Sequence, residues 1–108
     1  MSDTPKSYVV DPNITNTPIP ENGILSKTLW EDDSIKILLF AFDTGQELSQ
    51  HTASIPAIIQ IIKGDATVGL GDAAPVQAPT GFFCYMEAQL PHSVYATSPM
   101  LMILQMLK

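Results

Sequence analysis

The sequence predicts an all-β protein, a sandwich or barrel built as a single domain, and three observations lead there. Apolar runs of about four to eight residues recur between turn signals, and no stretch carries capped periodicity of 3.6 residues. The length of 108 residues also suits one hydrophobic core and not two.

Residues 1–23 come first and read as an extended arm, not a helix. Pro5, Pro12, Pro18 and Pro20 interrupt any helical ladder, Asn13, Asn16, Asn22 and Gly23 add turn signals, and only residues 8–10 and 14–19 offer apolar anchors. The barrel domain then spans 24–108. Its predicted strands are ILSKTLW (24–30), IKILLFAF (35–42), LSQHTA (48–53), AIIQIIK (57–63), ATVGL (66–70), PVQA (75–78), FFCYM (82–86), HSVYA (92–96) and LMILQMLK (101–108). Acidic, Gly-Asp, Thr-Gly and Ser-Pro turns separate them. The runs AIIQII and LMIL do not alternate, so both their faces are expected to be buried, one inside the barrel and one against another sheet or subunit.

Composition narrows the partners. Apolar residues make up 45% of the chain and charged residues 15%, a proportion that points to apolar surface covered by a partner, with a homodimer as the simplest arrangement. The net charge is −6 and arginine is absent. Nucleic acid is therefore excluded as a natural partner, and phosphorylated or strongly acidic ligands are disfavoured, because both need cationic side chains to neutralise them. Cys84 is the only cysteine, which rules out an intramolecular disulfide or a cysteine-based zinc site. The first residues, MSDTPKSYVVDPN, lack an apolar signal core, and no apolar run approaches the roughly 20 residues of a membrane span, so the expected compartment is the cytoplasm.

Two spacings carry a family resemblance. From Gly45 the pattern G-x5-H ends at His51 and continues to Gly64; from Gly81 a second pattern runs through Glu87 and Gln89 to His92 in LPHSVYA. Together these resemble the two motifs of the cupin superfamily, whose members are small jelly-roll β-barrels. The first motif reads G-x5-H-x-H, three or four residues, E, six residues, G; the second reads G-x5-P-x-G-x2-H-x3-N. In this chain Ala53 and Ala57 stand at the second histidine and the glutamate, while Glu87, Gln89 and Ala96 stand at the Pro, Gly and Asn. The resemblance covers roughly residues 35–108 and implies a jelly-roll, cupin-type barrel with His51 and His92 at metal-ligand positions. Only those two of the four ligand positions carry a donor.

The missing donors shape the functional expectation. A two-histidine site binds a divalent metal poorly unless a third group joins it, with Glu87 or Cys84 as candidates and Fe, Mn, Ni or Zn as the ion. Glu47 shares the face of His51 on strict strand alternation, but four residues at about 3.3 Å each put it about 13 Å away, too far to help. Cys84 among Phe82, Phe83 and Tyr85 reads as a small buried hydrophobe, and its pairing with His92 as nucleophile and base has no accompanying oxyanion-hole signal. Each histidine taken alone is as consistent with a hydrogen-bonded core residue as with a site; their joint placement at ligand positions favours a shared one.

Met100, Met102, Leu104 and Met106 share a parity on the last strand and offer either ordinary core or the soft wall of a pocket. Trp30, the only tryptophan, reads as a core or interface anchor. The favoured function is a stand-alone dimeric cupin-like barrel that binds a small, largely apolar molecule near His51, His92, Met102, Leu104 and Met106, with enzymatic activity doubtful. The alternative is a metal-dependent cupin enzyme, a dioxygenase or isomerase, built on His51 and His92 with a non-standard third ligand. A third reading makes the domain a subunit or regulatory partner that works through its apolar outer faces.

Overall fold

A computed structural model describes residues 4–108, so the first three residues of the predicted arm lie outside the described part. Nine strands follow one 3₁₀ turn at Pro12–Asn16: β1 (Ile24–Glu31), β2 (Ile35–Phe42), β3 (Glu47–His51), β4 (Ala57–Lys63), β5 (Ala66–Leu70), β6 (Val76–Ala78), β7 (Phe83–Met86), β8 (His92–Ala96) and β9 (Met100–Leu107). They form two antiparallel sheets, ordered β1-β2-β9-β4-β7 and β3-β8-β5-β6. The all-β jelly-roll expectation is met. No described helix is long and apolar enough to cross a membrane.

The 3₁₀ turn is a local departure from the extended arm. Proline fixes φ at its start, and the Asp11 side chain accepts the Asn13 amide at 2.9 Å, which suffices for one short turn but not for a longer helix.

Alternation along the strands splits the apolar residues into two layers. Inside the barrel, Phe42, Ile59, Ile61, Val68, Met86, Val94, Met100 and Met102 form one buried cluster. On the outer side of the five-stranded sheet, Leu39, Ala41, Leu101 and Ile103 form another, covered by Val10, Ile14 and Ile19 of the arm. This explains why AIIQII and LMIL do not alternate: Ala57, Ile59, Ile61 and Met102 face the inner cluster, while Leu101 and Ile103, with half-buried Ile62, face the outer one, which the chain's own arm covers. Lys63 Nζ donates to the Thr15 carbonyl at 3.2 Å, and the rings of Tyr8 and Trp30 pack at 5.7 Å, so the arm is fastened at two points. Trp30 thus anchors the arm.

The chain's end is tied down as well. Lys108 Nζ donates to the Glu31 carboxylate at 2.7 Å, and this bond, with the attraction of the ammonium, holds the Glu31 carboxyl below its usual range. Trp30 Nε1 and the Ser34 and Ile35 amides do the same for Asp32, which fixes the β1–β2 turn.

Candidate functional site

The two histidines meet across β3 and β8. His51 stands directly opposite His92 in the ladder, and their ring centroids lie 4.3 Å apart with planes tilted by 57°. Simple alternation does not produce this pair. Leu48 faces Val94, so regular pairing would set Gln50 against His92; one extra residue between Leu48 and His51 instead brings His51 into place. This β-bulge corrects the expected face-sharing of Glu47 and His51: Glu47 lies opposite exposed Tyr95 on the outer surface, whereas His51 joins the inward face of Leu48 and His92.

Both rings are held in the same way. His51 Nδ1 lies 2.7 Å from the Ser49 carbonyl oxygen, and His92 Nδ1 lies 2.9 Å from that of Leu90. A carbonyl oxygen only accepts, so each Nδ1 carries the hydrogen, and in the neutral ring each Nε2 is left with a lone pair. His92 is 8% exposed, yet among the described residues no buried side-chain nitrogen or oxygen lacks a partner. Its Nε2, which has no hydrogen-bond partner among the described residues, therefore lies where solvent or a ligand can reach it. His51 is exposed.

The loop before β8 sets the Leu90 carbonyl. Leu90 N donates to the Glu87 carbonyl at 3.3 Å, Gln89 N donates to the Ala53 carbonyl at 2.8 Å, and Gln89 adopts φ +68°. That left-handed conformation favours glycine, and Gln89 occupies the glycine position of the second cupin motif.

The remaining predicted residues separate by depth. Across the inner face of the smaller sheet the register row reads His51, His92, Leu70; across the larger sheet one row reads Leu38, Leu104, Ile59, Cys84. Leu104 lies as many residues after the β8–β9 connection as His92 lies before it, and it is half-buried against the core. Met102 is 1% exposed and belongs to the closed core, where it serves packing and not a solvent-reached wall. Met106, opposite Lys36 and Ala57 and half-buried, lies further toward the open end.

The candidate third ligands do not assemble. Cys84 faces inward, packed against the core, with Sγ 3.7 Å from the Tyr85 carbonyl, and Glu87 is exposed. Among the described residues no group of three or more His, Cys, Asp and Glu is placed to hold a metal ion. Two imidazoles alone do not fit a resident divalent cation, which takes three protein ligands even in an open catalytic site. Burial pushes the Cys84 thiol up, away from the thiolate that a nucleophile needs. Because the folded thiol holds its proton longer than the unfolded one, this group lowers stability only as pH rises through the ordinary thiol range.

Sequence reasoning missed the Ser49 and Leu90 carbonyls and the bulge in β3. The carbonyls belong to the backbone and leave no side-chain signal. The bulge had one signal, the family register that placed His51 at a ligand position despite the parity of its neighbours.

No protein-family model and no curated protein matches the chain. Solved structures do. A protein of unknown function from Streptococcus pyogenes is 27% identical, with a TM-score of 0.80 over 99% of this chain and 92% of that one. A cupin superfamily protein from Desulfitobacterium hafniense is 21% identical, TM-score 0.82, covering 98% and 95%. An RmlC-like cupin with a double-stranded β-helix fold from Methanocaldococcus jannaschii is 15% identical, TM-score 0.74, covering 98% and 93%. The chain shares the fold of these cupin structures.

Proposed function

We propose that this cupin-fold chain is a small-molecule-binding barrel whose site is the His51–His92 mouth, and that it works without a resident metal. The observation that supports this reading most strongly is the matched anchoring of the two rings, whose centroids lie 4.3 Å apart and which leaves each Nε2 as an acceptor, next to Leu70 in the same register row. Such a site suits a ligand with a hydrogen-bond donor on an otherwise apolar body. In this reading Met106 borders the ligand and Met102 supports it from beneath.

Metal content of protein purified without an affinity tag or chelator tests the reading against a metal-dependent dioxygenase or isomerase. We expect substoichiometric metal, unchanged in the His51→Ala, His92→Ala double variant. Near-stoichiometric metal that the double variant loses would instead establish the metal enzyme.

The same reading includes self-association in the cytoplasm. Phe83 and Tyr85 are 59% and 55% exposed on the outer face of the edge strand β7, beside the neutral Gln60–Gln105 hydrogen bond. A charge-free apolar surface on a chain of net charge −6 favours a second copy over a basic partner. Sedimentation equilibrium is expected to show a dimer that Phe83→Ser with Tyr85→Ser dissociates; a wild-type monomer at about 100 μM, a concentration at which even a weak dimer forms, would remove this part of the reading.

A further inference from the structure

A cleft of about 340 Å³ lies on the outside of the barrel, between the arm and the outer face of the five-stranded sheet. Its lining includes Ile14, Leu29 and Leu39 as apolar surface and two opposite charges, Asp11 and Lys27. We propose that this cleft binds a small zwitterion with an apolar side chain, of the α-amino-acid class, its carboxylate taken by Lys27 and its ammonium by Asp11.

The two charges are available. Among the described residues Lys108–Glu31 is the ion pair formed, so Lys27 and Asp11 do not neutralise each other although they line one cleft. Lys27 makes no side-chain hydrogen bond among the described residues, and Asp11 commits only Oδ1, to the Asn13 amide, which leaves Oδ2 free. Lys27 stands opposite Leu39 in the β1–β2 ladder, so its stem shares the face on which that apolar side chain lies. The opposite wall is prearranged. Thr17 Oγ1 donates to the Ile14 carbonyl at 2.6 Å and Lys63 secures Thr15, so the turn that carries Asp11 and Ile14 is set before a ligand arrives.

Charge and size select the class. The cleft lies at the small end of ligand-binding cavities. A dianion would meet Asp11 and a chain of net charge −6, while an uncharged apolar molecule would leave both charges unused. A zwitterion uses both at no net charge.

The test is a titration of the full chain with L-leucine, followed by ¹H–¹⁵N correlation spectra. Leucinamide, which lacks the carboxylate, and 4-methylpentanoate, which lacks the ammonium, are run beside it. Leucine is expected to give saturable shifts confined to residues 8–17, 27–29 and 39, with each analogue weaker by about fivefold, the upper range for one exposed charge pair. Lys27→Gln and Asp11→Asn should each weaken leucine by a similar factor. The Asn variant keeps an oxygen to cap the Asn13 amide, so its loss reports the charge and not the turn. Asp72→Asn, in a loop outside the cleft, should change nothing. The proposal fails if leucine gives no saturable shifts up to about 20 mM, well above the range expected for a weak specific site. It fails equally if the analogues match leucine or the shifts fall outside the cleft. Shifts at His51 and His92 would belong to the barrel mouth, so the two sites stand or fall separately.

Discussion

Gly64→Ala is expected to lower stability by about 3 kcal/mol, while Gly81→Ala costs about 1 kcal/mol, although both glycines have positive φ. The backbones are alike, at +82° and +95°, and the surroundings are not. A Cβ on Gly64 would overlap the Pro99 carbonyl oxygen and come within 2.8 Å of Met100 Cβ; a Cβ on Gly81 would meet nothing within 4 Å. The neighbours of Gly64 cannot retreat, because Met100 is fully buried in the core and the adjoining turns are joined by the Thr97 amide to the Asp65 carbonyl at 3.1 Å. The clash therefore adds to the conformational cost shared by both sites. Urea unfolding of the two variants measures the difference directly. Equal losses would show that the β4–β5 turn does not close against the β8–β9 connection as described.

Removing residues 1–20 is expected to cost a further sum of about 3 kcal/mol, roughly 1 kcal/mol for each of the half-buried Val10, Ile14 and Ile19. It should also expose Leu39, Ala41, Leu101 and Ile103, seen as binding of an apolar dye and concentration-dependent aggregation. The result separates two accounts of the apolar outer face. If the arm is its natural cover, the shortened chain is unstable and adhesive. A shortened chain with full stability and no dye binding would mean that the arm contributes nothing to the outer layer.

Much of this was legible in the sequence because turn chemistry and strand rhythm are local. IKILLFAF, AIIQIIK, ATVGL and HSVYA became strands at the predicted residues, since each is bounded by Gly, Asp, Pro, Ser or Thr at the point where the chain reverses. The spacing from Gly45 and Gly81 likewise brought His51 and His92 to one place. What alternation could not supply was orientation at irregular positions. The bulge before His51 reverses the parity of Glu47, and Gln89 holds a glycine-like conformation that its side chain does not announce. Non-alternating strands correctly signalled two buried faces, but nothing local to AIIQII or LMIL could say that an arm much earlier in the chain covers the outer one. The cleft beside Lys27 was hidden for the same reason: Asp11 and Lys27 become neighbours only after the arm folds back.

The central claim is that both histidines offer Nε2 as an acceptor at the barrel mouth, and long-range ¹H–¹⁵N correlation of the imidazole nitrogens reads this most directly. The spectrum is best taken at about pH 8.5, where an ordinary imidazole is neutral. The account predicts Nδ1–H tautomers for both His51 and His92, each locked by its carbonyl partner, and the less common form in free imidazole side chains. Nε2–H at either residue would contradict the anchoring geometry and, with it, the proposed pair of acceptors.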